Sequence, residues 1–194
     1  DTLDLLVAHF APGTWERAEA RLQEGEINLL QAMEEEFGDV RATEAEVLAF
    51  ILEHAAIRRG FPEFVRWVEE QGHRLVIVSA GFRTLIDAFL TRAGLGHLHV
   101  HAGDALFTPS GTLLSYPASS AECVSDCGIC KTGTIAAHAP FRGPVVYVGD
   151  GFSDRCAARE VDLVFARDGL ASYLEREGVP YEPFDDFFDV LRRA

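Results

Sequence analysis

The stretch that decides the fold is Val145-Val146-Tyr147-Val148-Gly149-Asp150-Gly151-Phe152-Ser153-Asp154. Its apolar, β-branched run ends abruptly in Gly149 and Asp150, which is typical of a buried parallel strand that carries a carboxylate at its C-terminal end. In open α/β sheets, ligands bind at that edge. We expect a helix over residues 153–159, with Asp154 in its first turn.

Two carboxylates this close in sequence repel each other in a dry pocket unless a cation or a lysine offsets their charge. Asp150 and Asp154 therefore predict a site for a hard metal ion, and Mg²⁺ is the best candidate. The alternative is a strand, a glycine turn and an N-capped helix whose acids are simply solvated.

Two other stretches carry polar side chains at the ends of predicted elements. The apolar run 75–78 ends in Ser79 and a tight turn into a helix over 82–92, and a hydroxyl with backbone N–H groups at a helix start can bind phosphate. Lys131 begins a further predicted helix, where an ammonium can screen phosphate charge or orient a carboxylate. Taken singly, Ser79 is also explained as a helix N-cap and Lys131 as a surface lysine.

In this order, the three stretches resemble the haloacid dehalogenase (HAD) superfamily of phosphatases. Ser79 matches the second motif of that family, Lys131 the third, and the segment Gly149–Asp154 the fourth. The resemblance implies an α/β fold, with a Rossmann-like parallel sheet and a small helical cap. It also implies hydrolysis of a phosphate monoester through an aspartyl-phosphate.

The same resemblance implies a role for each matched residue. Asp150 would be the Mg²⁺ ligand, and Asp154 would orient Lys131 or a metal-bound water. Ser79 would bind the phosphoryl oxygens together with the N–H groups of Ala80 or Gly81, which follow it directly. Lys131 would bind phosphate and stabilise the charge on the nucleophile.

The first motif of the family, Asp-x-Asp-x-Thr/Val, is missing from the chain, which begins Asp1-Thr2-Leu3-Asp4. We expect a segment of roughly 10–20 residues before Asp1 that holds the nucleophile and the first central strand of the sheet. If the protein does start at Asp1, the alternative is a non-catalytic binding module with this fold. Asp1 stands where phosphoserine phosphatases carry a substrate-binding Glu, so the resemblance implies a substrate contact there, or else a solvated acid.

Three cysteines, Cys123, Cys127 and Cys130, directly precede Lys131. Thiols at this spacing can hold Zn²⁺, with a fourth ligand from Cys156, His101 or His99, or from water. A disulfide and plain thiols are the alternatives.

The cysteine motif also narrows the resemblance. Together with residues 55–61 and 165–168, it is similar to the subgroup typified by 2-hydroxy-3-keto-5-methylthiopentenyl-1-phosphate phosphatase, which implies a role in methionine salvage; phosphoserine phosphatase is the alternative. Arg58 would then reach the substrate from the cap hinge, unless it is a surface arginine.

Composition limits the possible partners. A hydrophobic fraction of 48% supports a folded core, and the net charge of −14 argues against nucleic acid and anionic membranes. The partner we expect is a small phosphorylated metabolite. The cysteine pattern does not suggest a secreted disulfide scaffold, so the cytoplasm is the expected location.

The pattern of apolar residues changes along the chain. Residues 1–58 have helical spacing, including a capping box at Thr43-x-x-Glu46, and are expected to form the cap. Residues 59–194 alternate between helix and strand and are expected to form the core. A β-hairpin is predicted over 104–116, turning at Pro109-Ser110-Gly111.

Overall fold

The structure is a computed structural model that describes residues 2–117, 127–138 and 143–193. It divides into two compact units: Asp1–Ala56 with Val76–Cys130, and Ile57–Leu75 with Lys131–Ala194. The domain boundary after residue 58 stays a prediction. Within the described ranges, no helix has the length and apolar character needed to cross a bilayer.

Helices occur throughout the described chain and are numbered in chain order. They are α1 (Thr2–Phe10), α2 (Thr14–Gln23), α3 (Leu29–Gly38), α4 (Glu44–His54), α5 (Phe61–Glu70), α6 (Arg83–Arg92), α7 (Lys131–Ala137), α8 (Asp168–Glu177) and α9 (Phe187–Leu191).

Within the part of the chain that the structure describes, the strands are arranged in two sheets of three. They are β1 (Val76–Phe82), β2 (His99–Thr108), β3 (Gly111–Ser115), β4 (Val146–Gly149), β5 (Leu163–Ala166) and β6 (Glu182–Pro183). The sheet orders are β1-β2-β3 and β4-β5-β6, and every pair is parallel except the hairpin β2-β3. The predicted α/β fold with parallel strands is confirmed, whereas the missing first central strand stays a prediction.

In the first unit, α1, α3 and α4 pack with the sheet around a shared apolar core. The predicted capping box is present, because the Thr43 side chain accepts from the Glu46 N–H and the Glu46 carboxylate accepts from the Thr43 N–H. It starts α4 so that Val47 and Ile51, one turn apart, are fully buried. The predicted hairpin is also present, with Thr108 paired to Gly111 across the turn.

The end of β1 differs from the prediction. The strand does not turn after Ser79 but continues to Phe82, and α6 begins at Arg83. The Phe82 ring at the end of the strand is fully buried and packs edge-on against Phe37 with a centroid distance of 4.7 Å. The pairing with β2 shifts register between Val78 and Phe82, so Ser79 lies in an irregular part of the strand rather than at its tip.

The second unit is built around β4, β5 and β6. Its fully buried residue Phe165 packs with Phe64 of α5 and with Val190 of α9, so the two helices cover this sheet. The predicted helix over 153–159 is wrong: the chain forms two single 3₁₀ turns, Phe152–Asp154 and Ala157–Arg159. The Asp154 carboxylate folds back onto preceding backbone N–H groups, which holds this segment in a tight turn.

Candidate active site

In the first unit, a hydroxyl lies at a constrained backbone position. Ser79 is half-buried on β1, and the Gly81 N–H donates to its Oγ at 3.0 Å. Since the oxygen accepts from Gly81, the hydroxyl hydrogen of Ser79 is available to donate to an anion. The predicted phosphate site therefore differs in one detail, because the N–H of Gly81 is already used to hold Ser79.

The second unit contains a buried ion pair. The ammonium of Lys131, at the start of α7, donates to Oδ1 of Asp154, and their side chains are only 8% and 6% exposed. Lys131 is the only lysine in the chain. A lysine is rarely buried unless it is paired, so this position is not an ordinary surface lysine.

The Asp154 carboxylate is held by four donors. Besides Lys131, the Tyr147 hydroxyl donates to Oδ1 at 2.6 Å. The backbone N–H groups of Asp150 and Gly151 donate to Oδ2 at 3.0 and 2.8 Å. With both oxygens occupied in this way, Asp154 holds Lys131 in place and is not well suited to bind a metal ion.

Gly149 makes this close approach possible. A Cβ atom at this position would lie 2.8 Å from the Asp154 Cγ and 2.9 Å from a ring carbon of Tyr147. Residues two apart on a strand share a face, so Tyr147 and Gly149 present one surface of β4 to the same carboxylate.

The charges in this network determine which groups are ionised. Burial alone would raise the pKa of Asp154, but the Lys131 charge and the hydrogen bonds from Lys131, Tyr147 and Gly151 outweigh burial and lower it. Asp154 is therefore an anion, which matches the ammonium beside it.

Asp150 follows the last residue of β4 and is exposed. Although the residue reaches the surface, partial burial of its carboxylate raises its pKa, and the nearby carboxylates of Asp154 and Asp168 raise it further, against a smaller opposing effect of Lys131. Among the described residues, the Asp150 side chain accepts no hydrogen bond. A carboxylate in this situation fits a hard cation, which would offset the repulsion.

Asp150 alone does not make a complete metal site. Across residues 2–117, 127–138 and 143–193, no group of three or more His, Cys, Asp or Glu side chains is placed to hold a metal ion. The zinc prediction receives no support from these residues. Cys123 and Asp1 lie outside the described residues; Cys127 is buried, Cys130 is half-buried and Cys156 is exposed.

The other predicted substrate contact is Arg58. It is exposed, and its guanidinium donates to the Asp185 carbonyl at 3.2 Å, so one of its donors is used within the second unit. Its role towards a substrate stays a prediction.

Three residues of these surroundings were missed by the sequence reasoning. In the second unit the Tyr147 hydroxyl donates to Asp154, and Asp168 adds negative charge near Asp150; in the first unit the Tyr116 hydroxyl donates to the Ala80 carbonyl. Asp168 also has a φ of 46°, which is rare for a residue other than glycine. The alternation of side chains along a strand, which puts Tyr147 on the same face as Gly149, could have identified Tyr147. No sequence pattern indicates that Tyr116 binds Ala80, because the two residues are 36 positions apart.

A family model of haloacid dehalogenase-like hydrolases matches residues 3–159, which is most of the chain. The chain belongs to this family. The predicted resemblance is confirmed, and with it the assignment as a hydrolase.

Relatives of this hydrolase include two bacterial proteins named 2-hydroxy-3-keto-5-methylthiopentenyl-1-phosphate phosphatase. The protein from Brevibacillus brevis is 28% identical over 194 residues, which span 99% of this chain and 87% of the relative. The protein from Geobacillus kaustophilus is 29% identical over 196 residues, which span 98% and 87%.

Solved structures of similar fold include phosphoserine phosphatases. A substrate-bound phosphoserine phosphatase complex aligns with a TM-score of 0.73 at 17% identity and covers 100% of this chain and 91% of the other. The enzyme from T. onnurineus aligns with a TM-score of 0.68 at 16% identity and covers 99% and 86%. At these identities the likeness shows the fold alone.

Proposed function

We propose that this HAD-family hydrolase is a phosphatase that hydrolyses a small phosphate monoester. The observation that carries the proposal is the buried Lys131–Asp154 pair beside the end of β4, where Asp150 follows. Burying an ammonium and a carboxylate costs desolvation energy. A stable fold does not require such a pair, because apolar residues of similar volume can take its place. Phosphoryl transfer does require a fixed positive charge, because positioning and electrostatic stabilisation supply most of its catalysis.

Each residue has a distinct part in the proposed mechanism. Lys131, oriented by Asp154, stabilises the negative charge on the phosphoryl group and on the attacking carboxylate. Ser79 donates its hydroxyl hydrogen to a phosphoryl oxygen, while the Gly81 N–H keeps the hydroxyl in place. In the family, the nucleophilic aspartate and the general acid belong to the first motif, Asp-x-Asp-x-Thr/Val.

Asp150 is the ligand that this chain offers to Mg²⁺. The bound ion would neutralise charge on the phosphoryl oxygens and on the nucleophile. This local positive charge matters because the protein carries a net charge of −14, which repels an anionic substrate at long range.

The names of the relatives support 2-hydroxy-3-keto-5-methylthiopentenyl-1-phosphate as the substrate, with the protein acting in methionine salvage. Phosphoserine is the second candidate, because the solved structures of similar fold include phosphoserine phosphatases. Parallel assays of the full-length protein on both compounds separate them. Turnover of phosphoserine without turnover of 2-hydroxy-3-keto-5-methylthiopentenyl-1-phosphate would reject the role in methionine salvage.

Hydrolysis of p-nitrophenyl phosphate by the full-length protein, with Mg²⁺ and with EDTA, tests the activity. We expect turnover that EDTA abolishes. The Asp150→Asn variant should lose most of it, because the amide weakens the cation site. Asp87→Asn, an exposed acid on α6, is the matched control and should retain wild-type turnover. Full activity of Asp150→Asn would contradict the proposed role of Asp150.

A further inference from the structure

Tyr116 follows β3 in the first unit and contacts Ala80, the residue after Ser79. Its hydroxyl donates to the Ala80 carbonyl at 2.9 Å and lies 3.4 Å from the Met33 sulfur. A hydroxyl has one hydrogen to donate, and a carbonyl is a stronger acceptor than a thioether. The bond to Ala80 is therefore the one that determines how the hydroxyl is oriented.

The ring of Tyr116 is fixed by two glycines. A Cβ atom would lie 2.4 Å from a ring carbon at Gly103 and 2.7 Å from the same carbon at Gly128. Both distances are too short for any side chain, so only glycine lets the ring lie this close to the backbone at these two positions. Because the ring has little freedom to move, its hydroxyl is held at a defined position.

The Ala80 carbonyl belongs to the peptide group whose N–H is that of Gly81. A trans peptide is planar, so its C=O and N–H point in opposite directions. Fixing the carbonyl with Tyr116 on one side also fixes the N–H on the other, where it donates to the Ser79 Oγ at 3.0 Å. The position of the Ser79 hydroxyl is thus set by Tyr116 through one rigid peptide group.

We propose that Tyr116 is a positioning residue that orients Ser79 for binding the phosphoryl group of the substrate. This inference rests on the proposed phosphatase function and extends it to a residue outside the family motifs. Burial, with a smaller contribution from Glu34, raises the pKa of Tyr116, which keeps the hydroxyl protonated and able to donate. A flipped peptide would instead direct its N–H away from Ser79.

The test compares inhibition by inorganic phosphate with turnover of p-nitrophenyl phosphate in the full-length protein. Tyr116→Phe removes the hydroxyl but keeps the ring against Gly103 and Gly128. We expect the inhibition constant for phosphate and KM to rise about 3- to 10-fold, the effect of one lost hydrogen bond, while kcat changes less. A general loss of folded protein would lower kcat and leave both constants unchanged.

Two further variants separate orientation from packing. Met33→Leu changes the other neighbour of the hydroxyl by a volume-conserving substitution and should keep the phosphate inhibition constant within about twofold of wild type. Replacing Tyr116 with 4-aminophenylalanine restores a donor towards Ala80 and should restore phosphate binding, even if Tyr116→Phe proves unstable.

The outcomes distinguish this inference from the proposed function. An unchanged inhibition constant in Tyr116→Phe, an equal loss in Met33→Leu, or a failure of 4-aminophenylalanine to restore binding would overturn the role of Tyr116 while leaving the phosphatase intact. A wild-type protein that neither hydrolyses p-nitrophenyl phosphate nor binds phosphate would overturn the proposed function, and this inference with it.

Discussion

At the residue scale, the chemistry of the second unit depends on how Asp154 is held. Its side chain is only 6% exposed and accepts from one ammonium, one hydroxyl and two backbone N–H groups. Hydrogen bonds to a charged acceptor are stronger than those between neutral groups. Each donor therefore helps to determine where the carboxylate lies, and hence where it holds the ammonium of Lys131.

We expect Tyr147→Phe to lower kcat about tenfold, because the carboxylate loses one charge-assisted hydrogen bond and Lys131 is held less firmly. Steady-state kinetics of the full-length protein on p-nitrophenyl phosphate measure the effect. The matched control is Tyr181→Phe, a hydroxyl deletion in the apolar cluster beside α8, which should leave kcat unchanged. An equal loss in the two variants would show that the effect is general destabilisation.

The sequence predicted the charged residues of the site better than the residues that hold them. Lys131 and Asp154 were singled out from their place in the motifs, and the two side chains are in contact; their roles in catalysis stay predictions. The hydrogen bond of the Tyr116 hydroxyl could not be predicted, because a bond between distant residues depends on tertiary packing and leaves no local sequence pattern.

At the element scale, the ends of elements were the least predictable features. An apolar run marked β1, but the edge-on packing of Phe82 on Phe37 extends the strand past Ser79. The alternation of strand and helix predicted a helix over 153–159, but the bonds from the Asp150 and Gly151 N–H groups to Asp154 hold the chain in a 3₁₀ turn at Phe152–Asp154. In the first case a tertiary contact decides where the element ends, and in the second a local side-chain-to-backbone contact does so.

The C-terminal end of α4 is capped by a side chain from another helix. The last carbonyls of a helix have no partner within it. Arg92, in the last turn of α6, donates to the carbonyls of Leu52 and Ala55 at 2.5 and 3.3 Å. The guanidinium thus caps the C-terminal end of a helix that lies 37 to 40 residues earlier in the chain.

We expect Arg92→Gln to lower the free energy of unfolding by about 1–2 kcal/mol, because two carbonyls lose a charged donor while remaining accessible to water. Urea denaturation followed by circular dichroism gives the value. Arg17→Gln, an exposed position on α2, should change stability by less than about 0.5 kcal/mol. Equal stability of Arg92→Gln and wild type would mean that water replaces the guanidinium at no cost.

At the scale of the whole molecule, the excess of acids places like charges close together. The chain has 31 acidic and 17 basic residues, and Glu36 on α3 shows the consequence. Burial raises its pKa to about 7, with further contributions from Glu19, Asp4 and Glu35. Arg21 is engaged with Glu35 at 2.6 and 2.7 Å and so stabilises that neighbour instead.

The raised pKa of Glu36 makes stability depend on pH. Below the pKa of the unfolded chain, near 4.5, Glu36 is protonated in both states and carries no penalty. As the pH rises from there to about 7, the unfolded state loses the proton more readily, so the folded state loses stability. Above that window the penalty is complete and no longer changes.

We therefore expect Glu36→Gln to stabilise the protein by roughly 1–2 kcal/mol at pH 8, allowing for solvent screening of a half-buried group, and by much less at pH 5. Thermal unfolding at both pH values measures the difference. Glu34→Gln, an exposed acid on the same helix, is the control for the loss of one negative charge. If both variants gained the same stability at both pH values, relief of the overall net charge would explain the effect, and the local environment of Glu36 would not.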